Sequence, residues 1–194
     1  MRINLQLHEN HFDRIKNFKP INAIKEMIWN SYDADANNVS VNVIKADNNI
    51  FDEEYITDVV VTDDGRGINL TECKEAFESF GISSKTYQTT SVNGRKLHGQ
   101  KGEGRYSIFS IGSDIKWYSV YDDNGINKKI VISFDKSNKG RNLEISEPII
   151  THEPIGLTIS IKEVNELAKE ILDKQEFIIQ ELIKEFEQDR KSVV

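Results

Sequence analysis

The sequence carries one cysteine, three prolines, two methionines and four histidines in 194 residues. The lone cysteine, Cys73, excludes an internal disulfide and points to a reducing compartment. Three prolines and 11 glycines leave little room for long flexible linkers. No apolar run approaches the ~18 residues of a membrane-spanning helix, and the opening MRINLQLHENHF lacks the apolar core of a signal peptide. The expected location is the cytoplasm, with no membrane partner. Positive charge is in deficit: 25 Lys and Arg stand against 32 Asp and Glu, a formal net charge of -7. That balance disfavours direct nucleic-acid binding across the surface. The rest, 38% hydrophobic and 29% charged, is the composition of a soluble domain with a real core.

Periodicity orders the chain. Ile3, Leu5 and Leu7 alternate as a short strand does. A helix is expected from about 20 to 36, entered at Pro20 and left at Asn37-Asn38. Strands follow at 39–45 and 56–63, then a helix over 70–80. The stretch 81–104 is rich in Gly, Ser, Thr and Lys without periodicity and reads as a mobile loop, with a helix starting near Gly104. Strand-like runs near 114–121, 128–134, 143–150 and 155–162 come next, with DDNG (122–125) as a hairpin turn. Val164, Leu167, Ile171, Ile178, Leu182 and Phe186 then repeat at a helical period. The order is that of an α/β protein, a sheet covered by helices, without internal repeats.

Three stretches bear chemistry. In IKEMIWNSYDADANN (24–38), Glu26, Asn30 and Asp33 fall within about 60° of one another on a helix. Ile21, Ile24, Ile28 and Tyr32 gather on the opposite side, with Met27 at the margin. A solvated polar face would show the same spacing. The absence of Lys or Arg from that face favours a cation site or a proton acceptor. In VVVTDDGRGI, Asp63 ends a strand and Gly65 and Gly67 follow, an arrangement suited to a purine pocket, since a carboxylate accepts from an exocyclic amine; a plain turn is the competing reading. In HGQKGEGRYSI (98–108), Gly99, Gly102 and Gly104 precede a helix start, where exposed backbone N–H groups favour phosphate oxygens and Lys101 and Arg105 add charge. This is not a P-loop, because no Gly-Lys-Ser/Thr follows at the required spacing.

Taken together, Glu26-x-x-x-Asn30, Asp63-x-Gly65-x-Gly67 and Gly99-x-x-Gly102-x-Gly104 resemble the GHKL ATPase superfamily of gyrase, the ninety-kilodalton heat-shock chaperones, histidine kinases and MutL. GQKGEGRYS is similar to the chaperone form of the third motif, FGISSKT (80–86) to the segment before the lid in chaperones and MutL, and PIGLTISI (154–161) to the closing strand. The resemblance spans roughly 20–162 and is nearest the hydrolase members. It implies a Bergerat-type two-layer sandwich, a mixed and mainly antiparallel sheet with helices on one face and an ATP lid at about 81–104. It implies Glu26 as the general base, Asn30 as a ligand of Mg²⁺, and Asp63 as the adenine-binding carboxylate with Gly67 beside it. Asp33 matches a nearby pocket position, and Thr158 a threonine that reaches the aspartate through water. Lid residues Lys85, Gly99, Gln100, Lys101, Gly102, Glu103, Gly104 and Arg105 would lie at the phosphates.

The implied function is ATP hydrolysis by water attack on the γ-phosphate, with lid ordering coupled to association with a second copy or a partner protein. The alternatives are a nucleotide-binding switch without turnover and a histidine kinase catalytic domain; the early position of Glu26 and the sequence EMIWNSYDA disfavour the kinase. Residues 1–163 would form the ATP-binding domain and 164–194 an amphipathic connector to a downstream domain, which in MutL-like and gyrase-like members supplies a phosphate-binding lysine. Trp29 departs from the small or acidic residue usual before the asparagine, and would either narrow the pocket or pack on the sheet. His8 and His11 lack a third ligand nearby and read as a surface pair. His98 is a loop residue bordering the glycines, and Cys73 a core residue. Ser83, Ser84, Thr89 and Thr90 fit no nucleophile pattern.

Overall fold

A computed structural model describes residues 1–4, 18–48, 53–78, 90–98, 104–134 and 142–191. Leu5, Leu7, His8, His11, Ser83, Ser84, Lys85, Thr89, Gly99, Gln100, Lys101, Gly102 and Glu103 lie outside the described residues. The strands are β1 (Arg2–Asn4), β2 (Val39–Asn48), β3 (Glu53–Asp63), β4 (Gly112–Asp123), β5 (Ile126–Phe134), β6 (Asn142–Ile145), β7 (Ile149–Ile150) and β8 (Gly156–Val164). They form one sheet ordered β1-β6-β5-β4-β8-β3-β2, with β7 on β5, and every pairing among the described residues is antiparallel.

Alternation decides which face is buried. Register places Val61 opposite Ile159, Ile159 opposite Trp117, Trp117 opposite Ile132 and Ile132 opposite Ile145. This row of side chains crosses five strands on one face, and all five are buried. The residues between them (Thr62, Thr158, Lys116 and Val131 among them) face the other way and stay half-buried or exposed. The helices α1 (Pro20–Asp33), α2 (Leu70–Glu78) and α3 (Glu166–Leu172) share the core with that buried row, as does a short 3₁₀ helix (Gly104–Ser110). The result is the expected two-layer sandwich.

The helix at 20–33 forms because Pro20 occupies the first turn, where its missing N–H costs nothing. Asp35, at φ 63, turns the chain away, so the helix stops short of the expected residue 36. Its packed side is rotated from the one hydropathy indicates. Ala23, Ile24, Met27 and Ser31 are buried, Ile28 is half-buried and Tyr32 is exposed. Small residues let α1 sit close to the 3₁₀ helix, which hydropathy does not weigh. The element at Gly104 is likewise a 3₁₀ turn rather than an α-helix.

The C-terminal stretch is two helices, α3 and then α4 (Gln175–Lys191), broken at Asp173–Lys174. Ala168 and Leu172 of α3 enter the core, whereas Leu167 is exposed; Ile178 and Leu182 of α4 pack against the same core. Asn165 caps α3 by accepting from Ala168 N–H at 2.9 Å and donates to the Ser110 carbonyl at 2.7 Å, tying α3 to the 3₁₀ helix. Asn165→Ala removes both bonds and is expected to cost about 1–2 kcal/mol in chemical denaturation without altering nucleotide affinity.

Candidate active site

Glu26 and Asn30 sit one turn apart on α1 and open onto a cleft of about 360 Å³. Phe18, Asn22, Lys25, Trp29, His98 and Glu185 complete its described lining. Gly104, at the start of the 3₁₀ helix, presses on the same place: a Cβ added there would overlap Glu26 Oε2. A side chain at position 104 would have to push the Glu26 carboxylate aside, so glycine leaves the carboxylate where it lies.

Asp63 ends β3 and is buried against the next turn of α1. Its Oδ2 accepts from the Ser31 hydroxyl at 2.7 Å; its Oδ1 accepts from Gly65 N–H at 2.9 Å and Leu157 N–H at 3.3 Å. Burial pushes this carboxyl above its ordinary value of 3.8, and the three hydrogen bonds pull it part of the way back. Ser31, which ties Asp63 to α1, directly follows Asn30 in the chain. Asp64 adds a second tie, accepting from the N–H groups of Asn37 and Asn38 at 2.7 and 2.8 Å, which holds its carboxyl below the usual range. Gly67, at φ +67, lets the loop press onto the Val120 carbonyl, where a Cβ would overlap. Asp63 and Gly65 of the second motif and Gly104, the described residue of the third, therefore meet α1.

Thr158 and Arg105 make protein contacts that the sequence does not indicate. Thr158 lies opposite Thr62, their hydroxyls 3.3 Å apart. Alternation puts both on the sheet face away from Asp63, whose side chain points to α1, so Thr158 does not reach it. The backbone N–H of Leu157 meets the carboxylate instead. Arg105 donates to the Ala76 carbonyl near the C-terminus of α2 and lies over the Phe77 ring, 5.8 Å from its centroid. The helix carbonyl engages this guanidinium, and burial lowers its pKa.

A family model described as histidine kinase-, DNA gyrase B- and HSP90-like ATPase matches residues 18–170. The chain belongs to this ATPase family. Among similar proteins are MutL of Thermodesulfovibrio yellowstonii, 29% identical over 75% of this chain and 23% of the relative, and MutL of Aquifex pyrophilus, 30% identical over 47% of this chain and 20% of the relative. A putative type II restriction enzyme, HgiDII of Herpetosiphon aurantiacus, is 27% identical over 50% of this chain and 14% of the relative. The chain thus spans about a quarter or less of the length of these curated relatives. No helix among the described residues is long and apolar enough to cross a membrane.

Within this ATPase domain, sequence reasoning missed the residues that anchor the segment before the third motif. Ser91 Oγ donates to Asp35 Oδ1 at 2.6 Å, and Arg95 donates to the Ala36 carbonyl while stacking over Tyr32. His98 N–H donates to Asp33 Oδ1 at 2.9 Å, and its ring stacks on Trp29 at 3.7 Å. Asp33 is therefore buried beneath this segment rather than directed at the cleft. Trp29 lines the cleft, its ring between His98 and Phe186. The available signal was the second acid of Asp33-Ala34-Asp35, left without a partner on α1 itself.

Proposed function

We propose that this domain binds ATP with Mg²⁺ and hydrolyses it by water attack on the γ-phosphate. The observation that carries the reading is the single cleft shared by Glu26 and Asn30, with Gly104 pressed on Glu26 and Asp63 held by the adjoining Ser31. Glu26 would orient water and take its proton. Asn30 offers a neutral amide oxygen, a donor that suits a hard cation already ligated by phosphate oxygens. No cluster of three or more His, Cys, Asp or Glu among the described residues forms a metal cage by itself. Asn30 would thus hold Mg²⁺ together with the triphosphate, where the ion neutralises developing charge. Asp63 would accept from the adenine amine, with Gly65 and Gly67 shaping the loop beside it. Asp33 is assigned a positioning role, fixing the segment that leads into Gly99–Gly104.

Lid ordering by nucleotide would drive association with a second copy or a partner, with residues 164–194 leading to a downstream domain. Calorimetric titration with a non-hydrolysable ATP analogue tests the site. Saturable binding that tightens with Mg²⁺ is expected; absence of both heat and thermal shift overturns the reading.

A further inference from the structure

The reacting end of the cleft contains a cation that the mechanism above does not use. Lys25 precedes Glu26 on α1 and is the one Lys or Arg among the cleft's described lining residues. Its side chain is 15% exposed, and α4 holds it from two positions: Glu185 at 3.1 Å and Glu181 at 3.4 Å. Glu185 itself lines the cleft and accepts from Trp29 Nε1 at 3.4 Å, while Phe186 packs on the Trp29 ring with centroids 4.6 Å apart. With α4 docked, Glu185 adds a second carboxylate to the cleft that holds Glu26, which works against a polyanion.

We propose that Lys25 reads the terminal phosphate of a nucleoside triphosphate, and that Glu185 of α4 competes with the nucleotide for the same ammonium. The inference rests on the ATP-site reading above. Only the Glu185 end of the Lys25–Glu185 pair is open to water, at 38% exposure, which screens and weakens the pair. An ammonium facing a terminal phosphate makes a charge-assisted contact to a more highly charged partner. A triphosphate therefore draws Lys25 off Glu185, whereas a diphosphate lacks the group that reaches it. Lys25 then discriminates ATP from ADP, and its departure removes the two ion pairs that help hold α4 on α1.

The test is calorimetric titration of the full chain with a non-hydrolysable ATP analogue and with ADP, both with Mg²⁺. Lys25→Met is expected to weaken the analogue about tenfold and ADP less than about twofold; Lys25→Arg retains most of the preference. Glu185→Gln is expected to tighten the analogue about threefold, and that gain disappears in the Lys25→Met background, the coupling a shared ammonium requires. Equal weakening of both nucleotides by Lys25→Met, or a Glu185→Gln gain that survives without Lys25, overturns the assignment. Should Lys25→Met not fold, Glu185→Gln alone decides: an unchanged preference for the analogue over ADP rejects the competition. Failure of the wild type to bind either nucleotide overturns the ATP-site reading itself, a result distinct from normal binding with unaltered discrimination.

Discussion

Replacing Glu26 with alanine is expected to lower ATP turnover by about a hundredfold to a thousandfold while nucleotide affinity changes by no more than about threefold. The expectation follows from where the carboxylate sits. Glu26 lines the cleft one turn from Asn30, and as the proposed base it would take a proton from water rather than hold purine or ribose. Ground-state binding would draw on Asp63, Asn30 and the glycine loop, which the substitution leaves in place. Alanine also vacates the space against which Gly104 rests, so Glu26→Gln is the cleaner companion. The amide keeps the packing and loses the base. Both variants should show the same loss in a phosphate-release assay, with near-normal analogue binding by calorimetry. A normal rate in Glu26→Gln removes the general base from the mechanism. A loss confined to Glu26→Ala attributes the effect to displacement of the loop at Gly104.

Much of this architecture is legible because it is local. Alternation in β2, β3, β5 and β8 locates the strands, and the Asn124-Gly125 pair, both at positive φ, closes the β4–β5 hairpin at the expected DDNG. The legible part ends where a residue's role depends on a distant partner. Ser31 looks like a neutral helix position until β3 brings Asp63 within 2.7 Å. Thr158 and Arg105 sit in motif-like surroundings, but strand parity turns one away from Asp63 and the end of α2 captures the other. The break between α3 and α4 had a faint signal, since the apolar repeat skips a turn between Ile171 and Ile178. The docking of α4 beside the cleft had none, because Lys25, Glu181 and Glu185 are ordinary helix-surface residues until the chain folds back.

Asp63→Asn should separate binding from stability more sharply than any other substitution at this site. Oδ1 faces two backbone N–H donors, from Gly65 and Leu157, so the asparagine carbonyl must take that position. Its amide nitrogen then occupies the Oδ2 position opposite Ser31, whose hydroxyl can turn to accept while donating to the Met27 carbonyl, 3.1 Å away. The side chain thus fits with its hydrogen bonds made, and the cost of burying a carboxylate is removed. Stability near neutral pH is expected to hold or rise slightly. Adenine recognition is expected to fail, because a donor now meets the exocyclic amine; a mismatch of this kind weakens binding by about a hundredfold or more. The pH dependence follows from the raised pKa of Asp63. A carboxyl whose folded value lies above its unfolded one contributes stability in its protonated form, present in full below 3.8 and lost as pH rises through the folded value. Wild type should therefore gain stability relative to Asp63→Asn on acidification through that window. Over the same window its nucleotide affinity should fall, as the acceptor is protonated. Parallel denaturation and titration series on the two proteins read both effects, and a variant that keeps wild-type affinity for the analogue removes Asp63 from purine recognition.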